Sequence, residues 1–288
     1  MTRLDVRKTY KLYIGGAFPR SESGRTYEVT DTRGRFVANL PLASRKDARD
    51  AVVAARGAES GWAAATAYNR GQVLYRVAEI LEGRREQFIL ELRATGGVTP
   101  QRAEAEVDAA IDRWVWFAGW TDKLTMIDGS SNPVAGPYFN FSVPEPMGVV
   151  AVIAPQHSAL LGLISVVAPV LVAGNACVVV AAQRSPLVAV TLAEVLATSD
   201  VPGGVVNVLT GDTAELAVPL AEHRDVNGID LVGIRDGELA RTLEMAAADN
   251  VKRVRRAPPI EPDWAYAAGP HAALAWCETK TVWHPVGI

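Results

Sequence analysis

From residue 148 onward, short apolar runs alternate with longer stretches of helical period. The runs lie at 148–153, 176–180, 205–209 and 229–232, and the helical stretches at 158–173, 187–199, 213–222 and 236–248. Apolar strands bounded by turns and separated by helices predict βαβ units and a parallel sheet covered on both faces. A shorter fifth strand is expected at 251–255, and Pro202-Gly203-Gly204 and Gly211 mark turns at strand ends. The fold class is α/β, a doubly wound parallel sheet.

Upstream the period differs. Residues 10–42 read as short strands and turns: Tyr10-Lys-Leu-Tyr-Ile14 alternates, and Gly15-Gly16, Gly24 and Gly34 punctuate the chain. Ser44 opens a helix that runs to about Trp62, with Asp47 placed to favour the positive end of its dipole. A second helix fits 71–93, stopped by Gly96-Gly97, and Pro100 starts a third. Trp114, Trp116 and Trp120 on that third helix read as core packing. Residues 128–147 then read as a projecting hairpin arm, with a turn cluster before the alternating aromatic stretch Pro137-Tyr-Phe-Asn-Phe-Ser-Val143. After Arg256 the regularity fails. Ala257-Pro-Pro-Ile-Glu-Pro262 suits neither helix interior nor central strand and reads as a linker. The stretch 279–284 reads as one lone strand, which must pair with an edge on this chain or on another.

Composition narrows the classes. At 288 residues and 49% hydrophobic the chain is one large domain or two ordinary ones, long enough to bury a core without staples. A net charge of −3, with both signs dispersed, argues against disorder and against a dedicated polyanion binder. Two cysteines, Cys177 and Cys277, exclude a disulfide scaffold. His157, His223, His271 and His284 show no metal-ligand spacing. The basic run Lys252-Arg-Val-Arg-Arg256 reads as a solvated face, since no aromatic interleaving accompanies it. The most apolar window, 147–180, is broken by Pro155, His157, Pro169, Gly174 and Asn175, and Met1–Lys8 lacks the apolar core of a signal peptide. The expectation is a soluble cytoplasmic protein with no nucleic-acid, membrane or metal partner.

Several short motifs share one register. Tyr13-Ile-Gly-Gly16, Glu145-Pro-Met-Gly-Val-Val150, Ala173-Gly-Asn175, Pro186-Leu187 and Val201-Pro-Gly-Gly-Val-Val-Asn207 resemble the aldehyde dehydrogenase superfamily in order and near spacing, over residues 10 to about 256. The resemblance implies a Rossmann-like NAD(P)-binding domain over 1–256, interrupted by an oligomerisation hairpin at 128–147. Glu278-Thr-Lys-Thr-Val-Trp283 resembles the family's C-terminal tail, so 272–288 would complete the oligomerisation element. Tyr138, Phe139, Phe141, Val282 and Trp283 would be its anchors. Residues 257–271 would be a linker standing where the family carries its catalytic domain.

The resemblance also assigns chemistry, and the sequence departs from it. The family forms a thiohemiacetal on a cysteine, passes hydride to a nicotinamide and releases the acid with a glutamate-activated water. Its nucleophilic cysteine lies in the absent region. Cys277 is the one proposable substitute and reads as an ordinary half-buried thiol, while Cys177 reads as core. The oxyanion asparagine falls at His157 and the base glutamate at or near Ala257. The resemblance places cofactor contacts at Ile153, Pro155, Val180, Gln183, Gly211, Gly233 and Ile234. Val180 replaces a ribose-binding lysine, which removes a charge-assisted bond typically worth ~1.5–3 kcal/mol. Asp212 and Glu215 stand where a helix start would otherwise approach phosphate.

No tight cofactor is expected; NAD(P) binding follows from the resemblance alone. The favoured reading is a catalytically inactive aldehyde-dehydrogenase-like subunit, a scaffold or regulator that forms a homo-oligomer or a hetero-oligomer with a full-length relative. In the family one subunit's arm adds strands to its partner's catalytic domain. A chain without that domain can offer its arm but cannot receive one there. The rivals are an NAD(P)-dependent aldehyde oxidoreductase with non-standard residues (Cys277 with His157 or His284) and a small-molecule-binding module that uses the altered cofactor cleft.

Overall fold

The computed structural model describes residues 6–266 and 269–287. Residues 1–5 of the charged N-terminal stretch, 267 and 268 of the expected linker, and 288 of the expected tail lie outside the described residues. Five parallel strands form the central sheet: β5 (Val149–Ile153), β6 (Ala176–Val180), β7 (Val206–Leu209), β8 (Gly228–Asp230) and β9 (Arg253–Arg255). Their spatial order is β7-β6-β5-β8-β9. In chain order within the sheet this is 3-2-1-4-5, so the winding reverses between β5 and β8.

Strand alternation sorts the core into two layers. Val150, Val152, Cys177 and Val179 face one side, where α6 (Leu161–Val172) and α7 (Leu187–Ala197) cover the sheet. Behind these lie α2 (Ala67–Gly83), α3 (Arg85–Gly96) and α4 (Pro100–Ala118). Val149, Ala151, Ile153, Val178 and Val180 face the other side, under α1 (Arg45–Ala64), α8 (Thr213–Glu222) and α9 (Gly237–Ala248). The five strands and four helices expected after residue 148 all form, within a few residues of the expected bounds.

The N-terminal elements follow local chemistry. Ser44 and Asp47 close a reciprocal capping box at α1. The single helix expected over 71–93 is two helices. Thr66 caps α2, which starts at Ala67, four residues before the expected start, and the chain breaks at Arg84, whose φ of −112° and ψ of 12° leave the helical basin. The Arg84 side chain turns to Gln87 and Glu194 instead. Gly97, at φ +60°, ends α3. Trp114 is fully buried, in keeping with a packing role. Tyr10–Ile14 forms only isolated bridges, of which Tyr13 to Val208 covers the β7 edge. A separate hairpin, β1 (Thr26–Thr30) with β2 (Phe36–Pro41), precedes α1.

The arm is built from two distant segments. After the short α5 (Leu124–Asp128) come β3 (Ser130–Asn132) and β4 (Tyr138–Pro146). Past the short α10 (His271–Leu274), β10 (Cys277–Pro285) pairs antiparallel with β4 over nine residues, from Cys277 with Pro146 to Pro285 with Tyr138. The strand that needed an edge therefore finds one on its own chain. Asn175 locks this return: its Oδ1 accepts from Gly148 N at 2.8 Å and its Nδ2 donates to Trp276 O at 2.8 Å. Trp276 and Cys277 are buried in the main core.

Candidate functional site

In an open α/β sheet the ligand crevice opens at the carboxyl ends of the strands, at the point where the winding reverses. Three backbone bonds continue the pairing past the strands and shape that crevice. Ala154 N donates to Val180 O at 3.0 Å, Ala181 N to Leu209 O at 2.9 Å, and Gly233 N to Ile153 O at 3.1 Å. The turn from Ala154 to Leu160 then leads into α6.

The positions assigned to a cofactor lie along these strand ends. Ile153, Pro155, Val180 and Ile234 are buried, so their side chains serve the core. Gly211 is buried at φ +144°, and a Cβ on Gly233 would stand 2.0 Å from Ala154 O. Of the seven, Gln183 alone has a solvent-exposed side chain. Its backbone N–H donates to Gln156 Oε1 at 3.1 Å, and its Nε2 reaches Asp212 Oδ2 at 3.5 Å.

Two carboxylates absent from the sequence reading occupy the crevice. Glu261 comes from the stretch expected to be a linker, and its side chain is only 7% exposed. Its Oε2 accepts from Gln156 N, His157 N and Arg235 Nη2, each at 3.1 Å. Its Oε1 accepts from Ser158 N at 3.0 Å and Trp264 Nε1 at 3.1 Å. Burial raises the Glu261 carboxyl, but the bonds from Trp264, His157, Ser158 and Arg235 outweigh it and leave the group below the ordinary range. Glu106, on α4, accepts from Ser158 Oγ at 3.0 Å and from Leu160 and Leu161 N–H at 3.2 and 3.3 Å. It satisfies the α6 N-terminus that would otherwise favour an anion. Asp212 and Asp236 cap α8 and α9 in the same way. Neither Glu106 nor Glu261 stands in a motif; the one sequence signal was Glu261 among the prolines at 258–262.

The stretch 257–266 is therefore a docked strap. Trp264 is 4% exposed and joins the main core. Its carbonyl accepts from Arg113 Nη2 at 2.6 Å, and Arg235 Nη1 donates to Pro258 O at 3.3 Å. Strap, α4 and the turn before α6 enclose an open cleft of about 660 Å³, lined by Arg102, Glu106, His157, Leu161, Arg235 and Ile260 among others. Beneath the crevice Asp230 is fully buried. Burial pushes its carboxyl up, while Arg255 at 3.0 Å and Val232 N at 3.0 Å oppose that shift.

The titratable candidates for catalysis do not converge. Cys177 is fully buried in β6, with its thiol pushed up by burial. Cys277, expected to be half-buried, is 7% exposed because α10 and Trp276 carry it into the core. Its thiol is pushed up to about 11, by burial first and by Asp128 second, with Arg253 and Arg70 opposing. Its Sγ sits 3.6 Å from Ala273 O. His157 is exposed and contributes its backbone N–H to Glu261. Ala257 is half-buried just past β9. Among the described residues no cluster of three metal-ligating side chains forms, and no helix is long and apolar enough to cross a membrane.

The arm offers a second candidate surface. Tyr138, Phe139 and Trp283 are 45%, 50% and 58% exposed, while Phe141 and Val282 are half-buried. Register places Phe141 opposite Val282 on one face and Tyr138, Asn140, Ser142 and Trp283 on the other. The Tyr138 and Trp283 rings meet edge to face with centroids 5.8 Å apart, and Phe139 lies 5.4 Å from Phe141. Asn132 Nδ2 donates to Asn140 Oδ1 at 2.6 Å and Ser142 Oγ at 3.0 Å, and Ser142 Oγ bonds Thr281 Oγ1 at 2.8 Å. Both faces of the sheet thus present aromatic surface on a hydrogen-bonded frame.

Comparison with known proteins gives these features a lineage. The model of the aldehyde dehydrogenase family matches residues 18–256. The chain is 35% identical over 258 residues to the cytosolic 10-formyltetrahydrofolate dehydrogenases of Pongo abelii and Homo sapiens. Each match covers 86% of this chain and 28% of the relative, so the chain spans little more than a quarter of those proteins. Among solved structures, an NAD+ complex of aldehyde dehydrogenase from Bacillus cereus superposes with a TM-score of 0.79 at 26% identity, covering 86% of this chain and 50% of that one. HpcC from Thermus thermophilus gives 0.81 at 27% identity, covering 86% and 47%.

Proposed function

This chain belongs to the aldehyde dehydrogenase family, and from that premise we propose that it acts as a catalytically inactive subunit, a scaffold or regulator that assembles through its arm. The observation that carries the proposal is the three-stranded β3-β4-β10 sheet, which exposes Tyr138, Phe139 and Trp283. Groups for the family's chemistry are not assembled beside it. A nucleophilic thiol needs access and a lowered pKa. Cys177 and Cys277 are buried with raised pKa values, and Ala257 transfers no proton. Where the crevice would receive dinucleotide, Glu261 takes the N–H groups of Gln156, His157 and Ser158 and Glu106 takes those of Leu160 and Leu161, which supports the absence of a tightly held cofactor.

The partner with the matching chemistry is a full-length aldehyde dehydrogenase, whose catalytic domain offers a sheet to the arm. Among the described residues a second copy of this chain has no such catalytic-domain sheet, so a homo-oligomer would join through the cofactor-type domains. The proposal is tested by co-expression of the chain with a full-length dehydrogenase of its own host and size-exclusion chromatography of the product. Co-migration in fixed ratio supports it; separate elution of two species overturns it. Stoichiometric alkylation of Cys277 within minutes at neutral pH, with NADH formed from an aldehyde, would instead establish a relocated enzyme. The open cleft beside the strap favours a second reading, a small-molecule-binding module; a saturable ligand-induced thermal shift in the isolated chain would support it.

A further inference from the structure

We infer that the winding-reversal crevice holds a built carboxylate-binding site and that the chain fills it with its own Glu261, so that the strap 257–266 is a latch rather than a linker. The inference rests on the reading that this crevice holds no dinucleotide, and it adds what the crevice holds instead. The donors come from both sides of the reversal. Gln156, His157 and Ser158 follow β5, and Arg235 follows β8, the two strands between which the winding reverses. Consecutive N–H groups converging on one point form an anion-binding concavity, and a guanidinium adds a charge-assisted bond. Trp264 supplies the fifth donor from within the strap.

The seat for the strap is equally specific. In α6 a Cβ on Gly162 would stand 3.0 Å from Trp264 Nε1 and 2.9 Å from Pro155 Cβ, so glycine makes the space that the indole occupies. Arg113, buried in α4, grips the Trp264 carbonyl. The carboxylate thus arrives on a segment with its own buried anchor. Four of its five donors belong to the sheet's loops and remain when the strap's carboxylate is removed. The ligand that fits those four donors is a small monoanionic carboxylate, which accepts all of their bonds.

The test uses the full chain and no partner or nucleotide. In Glu261→Ala, amide exchange at Gln156, His157 and Ser158 accelerates at least ten-fold. Sodium formate then restores protection and raises the melting temperature saturably, above sodium chloride of equal ionic strength. The unaltered chain shows no formate effect, because the site is filled. Should Glu261→Ala fold poorly, Glu261→Gln keeps the shape, loses the charge and speeds the same amides by a smaller factor. Unchanged exchange in the folded variant, or a formate effect no larger than that of chloride, overturns the inference. An NAD+ titration of the unaltered chain separately tests the reading beneath it: saturable binding there would remove that reading while leaving the formate result to stand on its own.

Discussion

Replacement of Trp283 by alanine separates assembly from folding. The indole is 58% exposed in the isolated chain, so more than half of its surface is available to a partner. A tryptophan buries up to roughly 250 Å², which leaves roughly 140 Å² to cover, and at ~25 cal/mol per Å² full coverage is worth up to about 3.5 kcal/mol. Incomplete coverage puts the expected loss at about 2–3.5 kcal/mol, or roughly 30- to 300-fold in Kd. Within the chain the ring makes an edge-to-face pair with Tyr138, worth about 0.5–1.5 kcal/mol. Sedimentation velocity with the full-length dehydrogenase proposed as partner, beside a thermal melt of the isolated chain, measures both quantities. The expected result is weakened assembly with a melt lowered by only a few degrees. Unchanged assembly, or a stability loss above about 3 kcal/mol, would refute the assignment of Trp283 to the partner rather than to the fold.

Three further outcomes follow from particular residues. Val251, in the turn that follows α9, has φ +58° and is 90% exposed; a β-branched residue there costs roughly 1–2 kcal/mol, and Val251→Gly gains about 1 kcal/mol net of glycine's unfolded-state entropy, raising the melt by about 2–4 °C. Gly233→Ala forces a Cβ within 2.0 Å of Ala154 O and costs on the order of 3 kcal/mol or more in denaturant unfolding, which would make this surviving family glycine a packing requirement. Glu261 titrates below its ordinary value in the fold, so its contribution is present above an unfolded pKa of ~4.3 and is lost as pH falls through the folded value. The stability gap between the native chain and Glu261→Gln, followed by urea titration from pH 7 downward, should close across that acid window; a gap constant with pH would contradict the assignment.

Much of this architecture was legible in the residue pattern, for reasons that differ from element to element. The strands from β5 to β9 announce themselves because both faces of a parallel sheet are covered, so Ala176–Val180 is a continuous apolar run. The arm was legible because aromatic alternation in a short stretch has few other uses. The break at Arg84 was hidden because it depends on tertiary bonds to Gln87 and Glu194. The crevice was legible as a place and illegible in its contents. Glu261 meets its backbone donors across more than a hundred residues of chain, and no spacing rule encodes that approach. Trp264 could be read only as one more aromatic in an irregular stretch until Gly162 and Arg113 gave it a seat. Cys277 was placed too near the surface because the burial around it comes from the returning tail itself.

Affinity purification of the tagged chain from its own host at native expression, followed by native mass spectrometry, tests the account's central claim most directly. The account predicts a stoichiometric complex with a full-length aldehyde dehydrogenase, carrying no nucleotide on this chain. A lone monomer, or a homo-oligomer with NAD(P) bound, would contradict it.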